Sequence, residues 1–243
     1  MILAAGEGRR MRPLTNDTPK PLLTVGELSL IEHHILRLRA AGICDFVINV
    51  AYLGQQIIQS LGNGEKYGVR ITYSIEQSPL ETGGALNHAL PLLATDNQDD
   101  TPFLLVNGDV WTDIDFSQLM HSHLLSTHDA CLVLVDNPAH NVSGDFQLQA
   151  VSSVDNKRLI SAPDDCQVPS YTFSGVSLIH PRLITAYPKR RHVFPLKEVF
   201  DLAIKKQRMI GIHHDGEWID IGTPERLFML RQRFDSTSTP RAC

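Results

Sequence analysis

The sequence has few cysteines and no long apolar run, and each absence excludes a class of protein. Its 243 residues include 4 cysteines, and no two of them form a Cys-x-x-Cys pair. Neither a disulfide framework nor a zinc ribbon is therefore expected. No apolar stretch approaches the roughly 20 residues that span a bilayer, and the amino terminus lacks the basic segment of a secretory signal. We expect a cytoplasmic protein with no membrane partner.

A surplus of basic residues is also missing. The chain has 22 Lys and Arg residues against 27 Asp and Glu residues, which gives a formal net charge of −5 and a pI near 6.1. A general nucleic-acid binder would show a basic face, so nucleic acid is not an expected partner. The remaining composition is that of an ordinary globular protein, and the length suits one α/β domain.

Hydrophobic periodicity alternates between strands and helices through the first half of the chain. Residues 1–5 and 103–106 are apolar runs typical of buried strands, and Ser29-Leu-Ile-Glu32 is a capping box that predicts a helix start. Strands that alternate with helices predict a parallel sheet covered by helices. The expected fold class is α/β, with a Rossmann-like, mostly parallel open sheet flanked by helices.

The pattern changes after Asp136. Residues 145–151, 158–160 and 172–179 have the character of strands, but polar loops separate them instead of helices. We expect a small antiparallel excursion that carries one side of a site. The predicted organisation is one domain over 1–235, with parts at 1–135 and 136–220, and a flexible tail at 236–243.

A glycine-rich loop follows the first strand, in the run Leu3-Ala-Ala-Gly6-Glu-Gly8. Two glycines at this point let backbone N–H groups approach phosphate oxygens. The loop is not a dinucleotide fingerprint, because position 11 is methionine, nor is it a Walker loop. An ordinary turn with solvated basic residues is the alternative. Ligands of open α/β sheets bind at the edge that this loop crosses, so we favour phosphate binding by its cations, Arg9, Arg10, Arg12 and Lys20.

Two carboxylates, Asp109 and Asp220, each follow an apolar strand and precede a turn. Convergence of two acids at one sheet edge would suit Mg²⁺, which prefers a few carboxylate oxygens together with water and substrate phosphates. Both residues are equally typical of turns, and spacing alone does not decide between these interpretations. No pair of histidines has the spacing of a metal site.

Four segments together resemble the signature of the sugar-1-phosphate nucleotidyltransferases. They are Leu-Ala-Ala-Gly-x-Gly-x-Arg-Met-x-Pro-Leu-Thr with Pro-Lys-Pro-Leu, Leu80-Glu-Thr-Gly-Gly-Ala, Val106-Asn-Gly-Asp-Val-Trp-Thr-Asp, and Trp218-Ile-Asp-Ile-Gly-Thr-Pro-Glu. The resemblance covers nearly the whole chain. The order of Val-Asp-Asn-Pro and Gly-Asp-Phe is similar to that of bacterial members that serve cell-wall recycling.

The resemblance implies transfer of a uridylyl group from UTP to N-acetylmuramate 1-phosphate, with Mg²⁺ held by Asp109 and Asp220. It implies that 1–135 binds the nucleotide and that 136–220 binds the sugar phosphate. The implied catalytic residues are Arg10 and Lys20. The implied nucleotide-binding residues are Ala5, Gly6, Gly8, Arg9, Arg10, Lys20, Glu76, Gly83 and Gly84. The implied sugar-phosphate-binding residues are Asn107 and Asp145.

Several alternatives stay open at this point. Gly83 and Gly84 also suit close helix packing, and Asn107 and Asp145 also suit turns. Longer relatives carry Glu-Lys-Pro near residue 160, where this chain has Ser-Ala-Pro, so Arg158, Lys157, or Arg10 with Mg²⁺ would replace that lysine. Glucose 1-phosphate with dTTP, mannose 1-phosphate with GTP, and a non-catalytic nucleotide-sugar sensor are competing functions. The expected assembly is a monomer or small homo-oligomer.

Overall fold

The computed structural model describes residues 1–93, 101–120, 125, 127–149, 158–163 and 168–238. Its strands are β1 (Ile2–Leu3), β2 (Thr24–Val25), β3 (Leu28–Ser29), β4 (Asp45–Val50), β5 (Arg70–Ile75), β6 (Phe103–Asn107), β7 (Val110–Thr112), β8 (Ala130–Val135), β9 (Phe146–Leu148), β10 (Arg158–Ser161), β11 (Ser170–Ile179), β12 (Met209–His214) and β13 (Trp218–Asp220). Its α-helices are α1 (Leu30–Ala40), α2 (Gly54–Leu61), α3 (Glu81–Leu93), α4 (Phe116–Leu119), α5 (Arg182–Thr185), α6 (Leu196–Lys205) and α7 (Pro224–Ser238). Within the described ranges, no helix combines the length and the apolar character needed to cross a membrane.

The chain divides into two compact units. The amino-terminal unit comprises Ile2–Gln77, Asn107–Asp113 and Glu217–Cys243. The central unit comprises Met1, Ser78–Val106 and Ile114–Gly216. The predicted division at residue 135 within a single domain stays a prediction.

The amino-terminal unit contains the parallel pairs that the sequence predicted. β4 lies between β1 and β5 and runs parallel to both, with Ile2 opposite Ile48 and Phe46 opposite Ile71. α2 packs on β4. The capping box is confirmed at the start of α1, where the Ser29 N–H donates to Glu32 Oε2 at 2.9 Å. The predicted α/β class is therefore confirmed.

A second layer of the amino-terminal unit joins segments that are distant in sequence. β7 and β13 pair antiparallel, and Asp220 lies opposite Val110. Behind them, buried side chains from the loop after β1, from β2, α1 and α7 form one apolar cluster: Met11, Leu23, Val25, Leu30, Ile221, Leu227 and Leu230. Burial of these side chains is the main stabilising contribution that fixes α7 beside the end of β13.

The central unit contains a mixed sheet with the order β6–β11–β8–β12–β10–β9. β11 runs antiparallel to β6, β8 and β9, whereas β12 runs parallel to β8. All six residues of β8 are buried, as expected for a strand covered on both faces. The predicted antiparallel excursion corresponds to β9, β10 and β11.

α4 of the central unit is a single short turn that ends at Leu119, and 121–124 lie outside the described residues. Asp115 is its N-cap, because Asp115 Oδ1 accepts the N–H of Ser117 at 3.0 Å.

Candidate active site

The loop between β1 and β2 closes on itself around Gly8. This glycine has a φ of 61°, and a Cβ there would lie 3.1 Å from Thr15 Cγ2 and 3.2 Å from Lys20 Cβ. The Thr15 hydroxyl donates to the Gly8 carbonyl at 2.9 Å. Only glycine adopts this left-handed conformation without strain. Gly8 therefore sets the course of the loop and lets Lys20 pack against it.

Gly6 differs from Gly8 in its surroundings. A Cβ at Gly6 would have no atom within 4 Å, and its backbone is not in the left-handed region. The fold itself therefore does not require glycine at position 6. Open space beside an exposed backbone is what a phosphate group would need to approach the N–H groups of this loop.

The two adjacent arginines of the loop are both exposed. The Arg9 Nε donates to Glu7 Oε2 at 2.6 Å, and this hydrogen bond holds the pKa of Glu7 below its usual value. Arg10 has no hydrogen bond to any described residue and extends from the same short 3₁₀ turn, Arg9–Met11. Arg10 is thus free to reorient toward an anion, whereas Arg9 would have to break its hydrogen bond to Glu7 before it could do so.

A side chain from α2 and one from the segment that joins β4 to α2 hold the far side of the loop, which the sequence did not predict. The Tyr52 hydroxyl shares its proton between the carbonyls of Thr15 and Asn16, each at 3.0 Å. The Gln56 amide donates to the carbonyl of Asp17 at 3.0 Å. These bonds anchor the turn opposite Gly8, so the loop has a fixed course between two supports.

Lys20 contacts the first predicted metal ligand. Its Nζ donates to Asp109 Oδ2 at 2.6 Å, and its side chain is only 9% exposed, against 40% for that of Asp109. Asp109 reaches this position because the preceding Gly108 approaches β1 closely. The Gly108 N–H donates to the Leu3 carbonyl at 2.9 Å, and a Cβ at Gly108 would lie 2.6 Å from that oxygen. Asn107 ends β6 immediately before this approach.

The second predicted metal ligand, Asp220, lies beside the first. Its neighbour Ile221 donates its N–H to the Asp109 carbonyl at 2.9 Å. Asp220 Oδ2 accepts Nη1 of Arg226 at 2.6 Å, and the two side chains are 21% and 15% exposed. Arg226 comes from the first turn of α7, and sequence reasoning missed it. Its position, six residues after the aspartate at the start of a helix, is the only signal that the sequence offered.

A buried histidine lies against Val110, the residue that follows Asp109. His34, on the core face of α1, is 3% exposed, and one ring N–H donates to the Val110 carbonyl. Its Nε2 has no hydrogen-bond partner among the described residues. Burial lowers the pKa of His34 to about 4, so the ring is neutral near pH 7. The sequence signal was a lone histidine on a face otherwise occupied by Ile31, Ile35 and Leu38.

Glu76, the predicted contact to the base, belongs to a buried polar chain. The Asn49 amide donates to Glu76 Oε1 at 2.6 Å, and Asn49 Oδ1 accepts the N–H of Ala4 at 2.9 Å. Glu76 is only 7% exposed. Its other carboxylate oxygen has no hydrogen-bond partner among the described residues and remains available as an acceptor. Ala5 follows Ala4 and is half-buried.

In the central unit, the predicted nucleotide-binding glycines have a packing role. The N–H groups of Gly83 and Gly84 both donate to the Phe194 carbonyl at 3.0 Å. A Cβ at Gly83 would lie 2.5 Å from the Phe194 ring, and one at Gly84 would lie 2.4 Å from the His192 carbonyl oxygen. The structure thus supports close helix packing for both residues, and their contact with a nucleotide stays a prediction.

Asp145, the predicted sugar-phosphate contact, anchors a loop of the central unit. Its Oδ2 accepts the N–H of Phe173 at 2.8 Å, and its Oδ1 accepts the Asn141 amide at 3.2 Å. The residue is nevertheless exposed. Arg158 begins β10 and is exposed, whereas Lys157 lies outside the described residues.

Asp109 and Asp220 are the two carboxylates that could hold a divalent cation in the amino-terminal unit. Across the described part of the chain, no cluster of three or more His, Cys, Asp or Glu side chains could hold a metal alone. Two carboxylates on adjacent backbone segments do fit Mg²⁺, which takes its remaining ligands from water and substrate phosphates. Asp109 and Asp220 would hold the ion, and each now has a cationic side chain as its partner.

Comparison with known proteins gives a consistent picture. Residues 1–236 match the family described as nucleotidyl transferase. The chain is 45% identical over 230 residues to the N-acetylmuramate alpha-1-phosphate uridylyltransferase of Neisseria meningitidis serogroup B, covering 93% of this chain and 94% of that protein. It is 33% identical over 228 residues to the mannose-1-phosphate guanyltransferase of Yarrowia lipolytica, covering 93% of this chain but only 61% of that longer protein.

Solved structures agree on the fold. A Bacillus anthracis protein, provisionally assigned as a glucose-1-phosphate thymidylyltransferase and crystallised with sucrose, superimposes with a TM-score of 0.80 at 20% identity. That match covers 99% of this chain and 96% of the other. HddC from Yersinia pseudotuberculosis superimposes with a TM-score of 0.71 at 22% identity, over 96% of this chain and 97% of the other.

Proposed function

Because the chain belongs to the nucleotidyl transferase family, we propose that it transfers the uridylyl group of UTP to N-acetylmuramate 1-phosphate. The coarser activity, nucleotidyl transfer to a sugar 1-phosphate, follows from the family and its relatives. The observation that carries the proposed chemistry is the Lys20–Asp109 contact at 2.6 Å, behind a glycine loop with open space at Gly6. The substrates are proposed from the 45% identity to the Neisseria enzyme.

The proposed reaction is an in-line displacement at the α-phosphorus of UTP. An oxygen of the sugar phosphate forms the new P–O bond, the bond to the bridging oxygen of the β-phosphate breaks, and pyrophosphate leaves with that electron pair. The attacking phosphate is already an anion at pH 7, so no side chain is required as a general base. The protein therefore acts by positioning and by stabilising negative charge.

Lys20 and Arg10 are proposed to supply that stabilisation. Lys20 is held in place by Gly8 and by Asp109, so its ammonium group is oriented before the substrate arrives. Arg10 is exposed and reaches outward from the same loop. Preorganised donors of this kind contribute most when charge develops in the transition state. Mg²⁺, when held by Asp109 and Asp220, would neutralise charge on the phosphates.

Recognition of the two substrates is proposed to use different residues. The free carboxylate oxygen of Glu76 would accept the N3–H of uracil, and Asn49 would keep that carboxylate in place. Gly83 and Gly84 would contribute backbone groups other than the N–H groups already bonded to Phe194. Contacts to the phosphate chain are proposed for Ala5, Gly6, Gly8 and Arg9, and contacts to the sugar phosphate for Asn107 and Asp145.

The cellular context is also a proposal. The product, UDP-N-acetylmuramate, would return a cell-wall sugar to nucleotide-activated form, which suits peptidoglycan recycling in the cytoplasm. The similarity to the Neisseria enzyme supports this context. We propose a monomer or a small homo-oligomer as the working assembly.

The test is pyrophosphate release by the purified protein with Mg²⁺. UTP, dTTP, GTP and CTP are each crossed with N-acetylmuramate, N-acetylglucosamine, glucose and mannose 1-phosphates. Release confined to UTP with N-acetylmuramate 1-phosphate is the expected result. Release with GTP and mannose 1-phosphate, the substrates in the name of the Yarrowia relative, would overturn the specificity but keep the reaction. Tight UTP binding without release from any pair would indicate a sensor.

A further inference from the structure

Both carboxylates proposed to hold the metal are already paired with a cation. Lys20 Nζ lies 2.6 Å from Asp109 Oδ2, and Arg226 Nη1 lies 2.6 Å from Asp220 Oδ2. All four residues belong to the amino-terminal unit. The side chains of both cations are at most 15% exposed. Water therefore screens these charges far less than it screens charges on the surface.

The charges of these four groups cancel. Two carboxylates contribute −2, and the ammonium and guanidinium groups contribute +2, so the set is neutral. A bare divalent cation would raise the local charge to +2 and would be repelled by both cations at short range. A nucleoside triphosphate that carries one divalent cation has a charge of about −2, because phosphate oxygens are ionised near pH 7. That complex arrives with a net negative charge, so its phosphate oxygens attract the two cations and shield the metal from them.

We propose that Arg226 is a counter-ion of Asp220 equivalent to Lys20 at Asp109, and that the pair restricts metal binding to the nucleoside triphosphate complex. This inference rests on the proposed function, because it assigns Asp109 and Asp220 to a metal. In the nucleotide-free protein the two cations compete with the metal for the carboxylates. When the triphosphate binds, its oxygens provide alternative partners for the lysine.

The two cations are held differently, and this difference gives them separate roles. Arg226 lies in the first turn of α7, which Leu227 and Leu230 anchor in the apolar cluster. A Cβ at Gly222 would lie 2.8 Å from Arg226 Nη2, so the guanidinium has little room to move. The stem of Lys20 packs against Gly8, but its ammonium group has three donors that can rotate. Arg226 thus acts as a fixed positioning residue, and Lys20 as the group that changes partner.

The experiment measures Mn²⁺ binding from the electron paramagnetic resonance signal of free Mn²⁺, with no sugar phosphate present, and protein-free mixtures of Mn²⁺ and UTP give the share of Mn²⁺ that UTP binds by itself. The wild-type protein, Lys20→Met, Arg226→Met and Arg226→Lys are compared, without nucleotide and with UTP. Lys197→Met is the matched control, because Lys197 forms an exposed pair with Asp201 on α6. A thermal unfolding curve for each variant checks that it is folded.

Without nucleotide, we expect Lys20→Met and Arg226→Met to bind Mn²⁺ at least about tenfold more tightly than wild type. Arg226→Lys and Lys197→Met should match wild type, and UTP should strengthen Mn²⁺ binding by wild type at least about tenfold. If Arg226→Met does not fold, Lys20→Met still tests the expected gain in Mn²⁺ affinity.

Three results would overturn the proposal. Equal Mn²⁺ affinity of wild type with and without UTP, while pyrophosphate release is normal, would refute the counter-ion role alone. The counter-ion role would also be refuted if Lys20→Met and Arg226→Met both bound Mn²⁺ with the affinity of wild type in the absence of nucleotide. Absence of Mn²⁺ binding even with UTP, together with no pyrophosphate release, would overturn both this proposal and the proposed function.

Discussion

The amino-terminal and central units use the same residue types for different purposes. In the amino-terminal unit, Gly6 has open space around its α-carbon, and the acid–base pair Lys20–Asp109 is partly exposed. In the central unit, Gly84 lies against a backbone carbonyl, and the carboxylate of Asp145 accepts two internal hydrogen bonds. A match to a family motif therefore does not show whether a residue is needed to bind a ligand or to maintain the fold.

The largest expected effect concerns Lys20. Replacing it with alanine removes a preorganised donor to the developing charge, so kcat should fall by a factor equivalent to about 2–4 kcal/mol, with little change in KM. Steady-state kinetics with UTP and the preferred sugar phosphate measure both constants. Lys197→Ala should leave them unchanged, because that exposed side chain pairs with Asp201 on the surface of α6. A change in KM alone would contradict the assigned role.

The next prediction concerns the stability of the fold around the site, which should depend on pH through His34. Unfolded His34 takes up a proton near its usual pKa of 6.5, whereas the folded residue does so only near 4. Acid therefore favours the unfolded state across this interval, and wild type should lose about 3 kcal/mol of stability through His34 as the pH falls from 7 to 4. The titratable groups near it are those of Arg37, Asp109 and His33.

His34→Gln provides the comparison for this pH dependence. Glutamine does not titrate but can still donate to the Val110 carbonyl. Urea unfolding at a series of pH values should show a shallower loss of stability in the variant than in wild type between pH 7 and pH 4. Parallel curves would mean that His34 does not govern this region.

Replacing a glycine of the central unit should have a smaller effect, which should appear in the free energy of unfolding. Gly84→Ala would place a Cβ 2.4 Å from the His192 carbonyl oxygen. Because that neighbour is backbone and not a mobile side-chain end, we expect a loss of about 1–3 kcal/mol in the free energy of unfolding. Chemical denaturation measures it. Unchanged stability would show that the packing role is wrong and would favour a purely ligand-binding role.

The smallest effect is expected at Gly6, and it should appear in activity instead of stability. Gly6→Ala adds a methyl group where no atom lies within 4 Å, so the free energy of unfolding should change by no more than about 0.5 kcal/mol. If a phosphate approaches this backbone, kcat/KM for UTP should still fall, by about tenfold. Unimpaired kcat/KM would remove Gly6 from the nucleotide site.

Local sequence patterns predicted those parts of the fold that depend on residues close together in the chain. The helix start at Ser29, the closing of the loop at Gly8 and the apolar strands before Asp109 and Asp220 depend on neighbours in sequence. Nucleotidyl transfer followed from the motif and is supported by the family match. Such features depend on backbone conformation and on the spacing of buried residues, and a short stretch of sequence is enough to encode both.

The remaining features depend on contacts between distant segments. Arg226 at Asp220, Tyr52 at the loop and Asn49 beside Glu76 are side chains whose partners only the folded chain reveals. The polar asparagine in the apolar strand β4 was a usable signal, because buried polar groups need partners. The packing of Gly84 against His192 had no such signal in the sequence.

The central claim is that Asp109 and Lys20 belong to a site that transfers a uridylyl group to a sugar phosphate. The most direct measurement follows UTP radiolabelled at its α-phosphate, incubated with N-acetylmuramate 1-phosphate and Mg²⁺, in wild type and in Asp109→Asn. The account predicts that label enters UDP-N-acetylmuramate and not pyrophosphate, and that the variant is slower by at least about a hundredfold. Label that stays entirely in UTP, or equal transfer by the variant, would contradict it.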